Sequence, residues 1–203
     1  MRVRGLEIEV FPGVYPPSED TFLLMDAVSG EAGEYALELC SGTGSVGLSL
    51  SDRVDLMVCV ELSVEAAKNT AHNFRKNGRR AEVILGDLFT PLKGKFDLVI
   101  MNPPYLPESG SDPWDLSWSG GEKGRAIIDR FLAEVAGYLR EGGRAYLIQS
   151  SLNGIEETLN FAESAGLQAE VVRHAAFQFE TLVAIRLTSK RIDTIMGMEK
   201  LKY

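Results

Sequence analysis

The segment Tyr35-Ala36-Leu37-Glu38-Leu39-Cys40, running straight into Ser41-Gly42-Thr43-Gly44-Ser45-Val46-Gly47, constrains this chain more than any other. An apolar run of strand length enters a glycine-rich turn, and a helical pattern leaves it. Such a unit commits the chain to a right-handed crossover and a parallel neighbour strand. The theme then repeats. Leu56 to Val60 reads as a second strand, followed by Glu61 and a helix capped at Ser63 with Glu65 in its first turn. Ala81 to Leu85 and Phe96 to Met101 read as third and fourth strands, and Ala145 to Ile148 as a fifth. Helices are expected over 19–29, where Ser18 caps and Glu19 and Asp20 favour the positive pole, and over 124–140 and 152–165. Strands over 168–173 and 181–187 close the pattern. Too few residues separate these two for a helical crossover, so they should pair antiparallel. The expectation is a single doubly wound α/β domain over 1–187, its seven-stranded sheet mainly parallel with an antiparallel last strand. The tail 188–203 suits either a short helix or a frayed end.

At 203 residues the chain can bury one sizeable core and is short for two. No apolar run approaches the ~20 residues that span a bilayer, and Met1-Arg2-Val3-Arg4-Gly5-Leu6 does not open a secretory signal. Cys40 and Cys59 are the only cysteines and stand in no metal-binding spacing, so they read as reduced thiols of a cytoplasmic protein. His72 and His174 are too far apart to suggest a ligand pair, and no metal is expected in this chain. A formal charge of −8 argues against direct binding to nucleic acid, which is held largely through neutralised phosphates. The densest basic run, Arg75-Lys76-Asn77-Gly78-Arg79-Arg80, suits a solvated helix C-terminus.

Doubly wound sheets bind ligands at the carboxyl ends of their strands. Gly42 and Gly44 let the backbone approach a ligand, and the helix behind them offers free N–H groups. Glu61, ending the second strand beside Leu62, suits a ribose diol, because one carboxylate accepts from both hydroxyls. These features define an adenosine-containing cofactor without identifying it. Gly42-x-Gly44-x-x-Gly47, with an acid roughly twenty residues on, also satisfies the dinucleotide fingerprint. Two further features resemble those of methyltransferases and favour a methyl donor: Glu38 just ahead of the turn, where such enzymes place an acid facing the amino-acid part of the cofactor, and Asp87-Leu88 after the third strand, where an Asp takes the adenine amino group.

The fourth strand ends in Asn102-Pro103-Pro104-Tyr105. Two prolines fix φ and remove two donors, leaving a stiff turn whose carbonyls point outward. The Asn102 side-chain oxygen and the Pro103 carbonyl can then accept both hydrogens of a planar NH2 group, with Tyr105 against its flat face. An amide or exocyclic amine is a weak nucleophile because its lone pair is delocalised. Fixed acceptors orient it and stabilise the charge that develops as a methyl group arrives. The turn therefore suits methylation of an amide, of the adenine amino group of DNA or RNA, or of another protein amine such as lysine.

With these motifs the sequence resembles the HemK-type protein-glutamine methyltransferases, and among them the archaeal and eukaryotic branch that acts on class I release factors. Tyr15-Pro16-Pro17-Ser18-Glu19-Asp20-Thr21-Phe22 looks like that branch's opening segment. Trp118-Ser119-Gly120-Gly121-Glu122-Lys123-Gly124-Arg125 looks like its W-x-GG-x-x-GR segment. The resemblance implies a Rossmann-like class I fold with S-adenosylmethionine as methyl donor and S-adenosylhomocysteine as product. It implies that Thr21, Glu38, Cys40, Glu61, Asp87, Leu88 and Asn102 line the cofactor site, with Asn102 to Tyr105 holding the target amide. It also implies the glutamine of a Gly-Gly-Gln loop in a class I translation release factor as target, and a small zinc-binding activator subunit as heterodimer partner. Ala81 to Leu85 is an apolar sheet edge that such a partner, or a loop, would cover. The substrate loop is expected at 106–123, around Trp114 and Trp118. This chain departs from the family at Cys40, which takes the place of the first turn glycine, where a Cβ restricts φ and crowds the cofactor.

Overall fold

The computed structural model describes residues 1–105 and 124–189. The expected substrate loop with its two tryptophans, and the tail from Lys190 onward, lie outside the described residues. A hairpin of two short strands, β1 (Arg2–Val3) and β2 (Leu6–Glu7), opens the chain. Arg4 and Gly5 turn it with φ of 49° and 87°, the left-handed pair that suits the twist of a tight hairpin. Sequence reading contains no such hairpin, because two residues per strand display no period.

The main sheet comprises β3 (Gly33–Leu39), β4 (Val54–Glu61), β5 (Glu82–Leu85), β6 (Phe96–Met101), β7 (Leu139–Ser150), β8 (Leu167–Ala176) and β9 (Thr181–Ser189). Its order is β5-β4-β3-β6-β7-β9-β8, parallel except for β9, which runs antiparallel to both its neighbours. The expected architecture is present. β6 shows why the pattern was legible: Leu98 and Ile100 pack on one face, Val99 and Met101 on the other, and all four are fully buried. A strand covered on both faces reads as an unbroken apolar run. Strand order reverses at β3, with β4 to one side and β6 to the other. A crevice opens there at the carboxyl ends.

Among the described residues five helices cover the sheet: α1 (Glu19–Ala27), α2 (Ser45–Leu50), α3 (Val64–Lys76), α4 (Ala126–Tyr138) and α5 (Ile155–Ser164). Most expected ends shift by a few residues, and two departures have a local cause. The helix expected over 152–165 is split, because Gly154 at φ 75° ends a 3-10 turn at Ser151–Asn153 before α5 begins. The fifth strand starts at Leu139 rather than Ala145, since α4 passes into β7 with no intervening loop and a bulge at Gly142 and Gly143 absorbs the extra residues.

A ladder of amides ties the N-terminal segment to α3. Asn77 Oδ1 accepts from Glu7 N–H and its Nδ2 donates to Glu7 carbonyl, at 2.9 and 2.8 Å. Asn73 makes the same pair with Glu9, both at 2.9 Å. Asn69 Oδ1 accepts from Phe11 N–H at 2.8 Å while its Nδ2 reaches Glu9 carbonyl. Four helical residues rise about 6 Å and two extended residues about 6.6 Å, so the two repeats stay nearly in step over this length. The ladder carries the chain toward the crevice, where Gly13, Val14, Tyr15, Asp20 and Thr21 form one wall.

Candidate active site

The glycine-rich turn after β3 is held in an unusual backbone shape. Cys40, Gly42 and Gly44 take φ of 55°, 55° and 72°. A Cβ at Gly42 would meet nothing within 4 Å, so glycine is needed there for its φ. Gly44 begins α2, and a Cβ on it would come within 2.8 Å of Thr70 Cγ2. Cys40 holds the same left-handed region with a side chain, the strained exception that its place in the sequence suggested. α3 pins the turn from outside. Thr70 Oγ1 donates to Gly42 carbonyl at 2.9 Å, and Asn73 Nδ2 to Thr43 carbonyl at 2.9 Å.

The acids expected around a cofactor each have a structural hold. Glu61 Oε2 accepts from Gly42 N–H and Oε1 from Ser63 N–H, both at 2.9 Å, so the carboxylate bridges the turn and the start of α3. Glu38 is buried against α2 so tightly that a Cβ on Gly47 would lie 2.5 Å from its Oε2. Burial pushes its carboxyl up to about 8, against the opposing pull of the Gly47 N–H. Asp87 Oδ2 is paired with Arg130 at 2.8 Å on the cavity's outer side, and Leu88 follows at φ 46°.

At the end of β6, Asn102 meets a residue that sequence reading placed only in a helix's first turn. Asp20 faces inward and is buried, and its Oδ2 accepts from Asn102 Nδ2 at 3.1 Å and from Tyr105 hydroxyl at 3.0 Å. Its Oδ1 accepts from Thr21 N–H at 2.6 Å. A carboxylate can only accept, so the NH2 end of the Asn102 amide must face Asp20. The Asn102 Oδ1 then points the other way, buried and without a hydrogen-bond partner among the described residues. Leaving such an acceptor unpaired costs roughly 1–3 kcal/mol, and a donor brought by a ligand would recover it. Burial, and then the Asp20 charge, drives the Tyr105 hydroxyl pKa far upward, so it stays a neutral donor; Tyr15, burdened the same way, is pushed up to about 12.

The far side of the turn is locked by the Gly124-Arg125 pair. Asn153 Nδ2 donates to Tyr105 carbonyl at 2.7 Å, and a Cβ on Gly124 would sit 2.1 Å from that carbonyl. Arg125, itself buried, donates to Asn153 carbonyl at 2.6 Å, Gly154 carbonyl at 3.0 Å and Thr158 Oγ1 at 2.9 Å. Glycine and arginine in this order therefore clamp Tyr105 to the turn after β7.

Thr21, Glu38, Cys40, Gly42, Glu61, Leu62, Asp87, Leu88 and Asn102 to Tyr105 line one cavity of about 430 Å³. Gly44 lies off that lining and serves the packing of α2 on α3. Asp20, Tyr15, Gly13 and Val14 join the wall without having been singled out. The signal for Tyr15 and Asp20 was the Tyr15–Phe22 segment, read as a likeness rather than as chemistry; Gly13 and Val14 had none. Four carboxyl groups, Asp20, Glu38, Glu61 and Asp87, line this space, Glu38 holding its proton until the pH nears about 8. That suits a cationic ligand such as a sulfonium with an ammonium group, and repels the pyrophosphate of a dinucleotide.

Class I S-adenosylmethionine-dependent methyltransferases are built this way, with the last strand antiparallel and the cavity over the switch point. The family profile described as methyltransferase small domain matches residues 12–178, and the chain belongs to that family. It is 33% identical to a putative protein N5-glutamine methyltransferase of Methanocaldococcus jannaschii, over 91% of this chain and 96% of that one. It is 34% identical to methyltransferase HEMK2 of Homo sapiens, over 88% and 91%. Among solved structures it is similar to a chain of the E. cuniculi Mtq2–Trm112 complex, described as responsible for methylation of the eRF1 translation termination factor. That likeness has a TM-score of 0.72, 28% identity, and covers 88% of this chain and 99% of that one.

Proposed function

We propose that this chain transfers the methyl group of S-adenosylmethionine to the side-chain amide nitrogen of a protein glutamine, and that the glutamine belongs to the Gly-Gly-Gln loop of a class I translation release factor. The observation that carries the reading is the buried Asn102 Oδ1, without a partner among the described residues and turned away from Asp20 in the wall of an acid-lined cavity. The names of the relatives support it. Such a substrate implies a cytoplasmic setting.

The cofactor supplies an electrophilic methyl on sulfur; the chain's residues bind and orient what reacts with it. Glu38 would hold the cofactor's ammonium, Glu61 its ribose hydroxyls, and Asp87 with Leu88 its adenine, while Thr21, Cys40, Gly42 and Leu62 would complete the wall. Asn102 Oδ1 and the Pro103 carbonyl accept the two hydrogens of the glutamine NH2. Held this way the nitrogen is desolvated and aligned, and the acceptors oppose the positive charge that grows on it. Tyr105, tethered to Asp20 through its hydroxyl, presents its ring to the amide plane. No strong base is needed before transfer, because the N–H becomes acidic only as the methyl bonds. The proton then leaves to solvent.

A small zinc-binding subunit is proposed to cover the β5 edge, where Leu62, Val64 and Leu85 are all exposed at one corner of the sheet. The test is radiolabelled methyl transfer with and without that subunit, offering a release factor, its Gln→Ala form and adenine-containing oligonucleotides. Label on the factor that vanishes with the Gln→Ala change is the expected result. Label on the oligonucleotides alone would replace this reading with adenine methylation.

A further inference from the structure

β8 and β9 meet in a tight turn over Phe177–Glu180, closed by a 2.8 Å bond from Phe177 N–H to Glu180 carbonyl. Because Ser150 of β7 lies opposite Leu182 of β9, this turn overhangs the carboxyl end of β7. That is the same edge of the sheet that carries Asn102. The turn is also tied to the amide-holding segment. Thr181 N–H donates to Ser151 Oγ at 3.0 Å, and the 3-10 turn that begins at Ser151 supplies Asn153, the residue that grips Tyr105 carbonyl. The Glu180 charge is felt at the Tyr105 hydroxyl.

On these two adjoining segments Phe179 is 84% exposed, Leu152 63% and Phe177 44%. A single exposed apolar side chain is ordinary; three together on hydrogen-bonded turns beside a reactive site form a patch that a partner would cover. None of the three lines the cofactor cavity. Their neighbours Glu156, in the first turn of α5, and Glu180 make the rim acidic. Phosphodiester backbones are repelled by such a rim, whereas an uncharged or basic polypeptide is not. Aromatic side chains on a rigid turn lose little freedom on contact and are enriched where proteins meet.

We propose that Leu152, Phe177 and Phe179 form a docking rim for the polypeptide that carries the target glutamine, seating an apolar side chain of that partner beside the amide-holding turn. This rests on the glutamine reading above. The rim holds the partner and leaves the reacting atoms to Asn102 and Tyr105.

The test compares Phe179→Ser and Leu152→Ser with the wild-type chain, each with the activator subunit present. Two methyl acceptors are used: the intact release factor, and a short peptide containing the glutamine and its immediate neighbours. The expected result is a KM for the intact factor raised about tenfold or more, the scale of exposing one buried aromatic. The kcat on the factor, the KM for cofactor and the kinetics on the short peptide should stay unchanged. Phe179→Tyr should restore the KM. An unchanged KM for the factor overturns the proposal. So does an equal loss on both acceptors, or a patch that proves to be a self-association surface because Phe179→Ser turns a dimer into a monomer. Absence of transfer by the wild-type chain to any glutamine overturns the activity itself, and the rim with it.

Discussion

Asp20 carries one negative charge and accepts from Asn102, Tyr105 and Thr21 together, so its loss should act on transfer rather than on cofactor binding. Asp20→Asn can satisfy the Tyr105 hydroxyl but no longer forces the Asn102 amide into one orientation. A fall of about 10²–10³-fold in kcat is expected, the scale of losing one preorganised donor or acceptor, with cofactor affinity within a few-fold. Isothermal titration beside single-turnover transfer separates the two; an equal loss in both would show that Asp20 merely shapes the cavity. Glu38 makes a second prediction through its raised pKa of about 8. Below that pH the free protein holds Glu38 neutral, and a cationic cofactor must draw off its proton. Affinity should therefore climb as pH rises toward 8, and Glu38→Gln should flatten the climb. Stability runs the other way. Between the ordinary carboxylate range and about 8 the native state binds a proton that the unfolded chain does not, so this contribution is full at low pH and lost as pH rises. Thermal melts of both forms from about pH 5 to about pH 9 check the sign. At this scale the sequence pointed to side chains that the fold brings to one cavity, but not to how they are aimed. Asp20 looked like a helix-dipole partner, because its inward turn depends on where α1 sits against β6, across a separation of 82 residues.

The elements were legible to the degree that each repeats its own period. β3, β4 and β6 are buried apolar runs and were placed to within about two residues, the usual uncertainty of such ends. β1 and β2 are too short to show alternation, and β7 hid its first half behind Gly142 and Gly143, whose bulge reads as a loop. The amide ladder was missed for another reason. Asn69, Asn73 and Asn77 fall on one helical face, but a polar face ordinarily means solvent, and only the extended strand opposite turns it into a zipper. Asn73 is the strongest rung, since its Nδ2 serves both Glu9 carbonyl and Thr43 carbonyl within a fully buried site. Asn73→Ala should destabilise the fold by about 2–4 kcal/mol, because it strips several backbone groups of their partners. Hydrogen exchange should quicken first at Glu7, Glu9 and Phe11 and at the turn around Thr43. Uniform loss of protection across the sheet, with no local opening, would contradict the ladder's role as a strap for the cavity wall.

At the scale of the molecule, alternation of strands and helices was enough to fix the sheet's handedness and the side on which ligands bind, and the short link between β8 and β9 was enough to invert the last strand. What alternation could not show is how the edges bear on the site. The register pairs Leu85 of β5 directly with Glu61 of β4, and Glu61 in turn holds the N–H of Gly42 in the cofactor turn. A partner laid along β5 would thus press on the strand that positions Glu61, the carboxylate proposed to hold the ribose, one residue pair away. Coupling between the two sites must be reciprocal. If the activator subunit tightens cofactor binding by some factor, cofactor must tighten the subunit's binding by the same factor. A gain of about fivefold or more is expected, within the usual range of such couplings. Leu85→Lys places a charge in the partner's path on an exposed strand and should abolish the complex while leaving the isolated chain's melting temperature nearly unchanged. Titrating cofactor into the free chain, the complex and the Leu85→Lys chain measures all three affinities. Equal affinity for free chain and complex would show that the subunit protects the edge without reaching the site. Stronger binding in the complex alone would make β5 the element through which the partner acts on the chemistry.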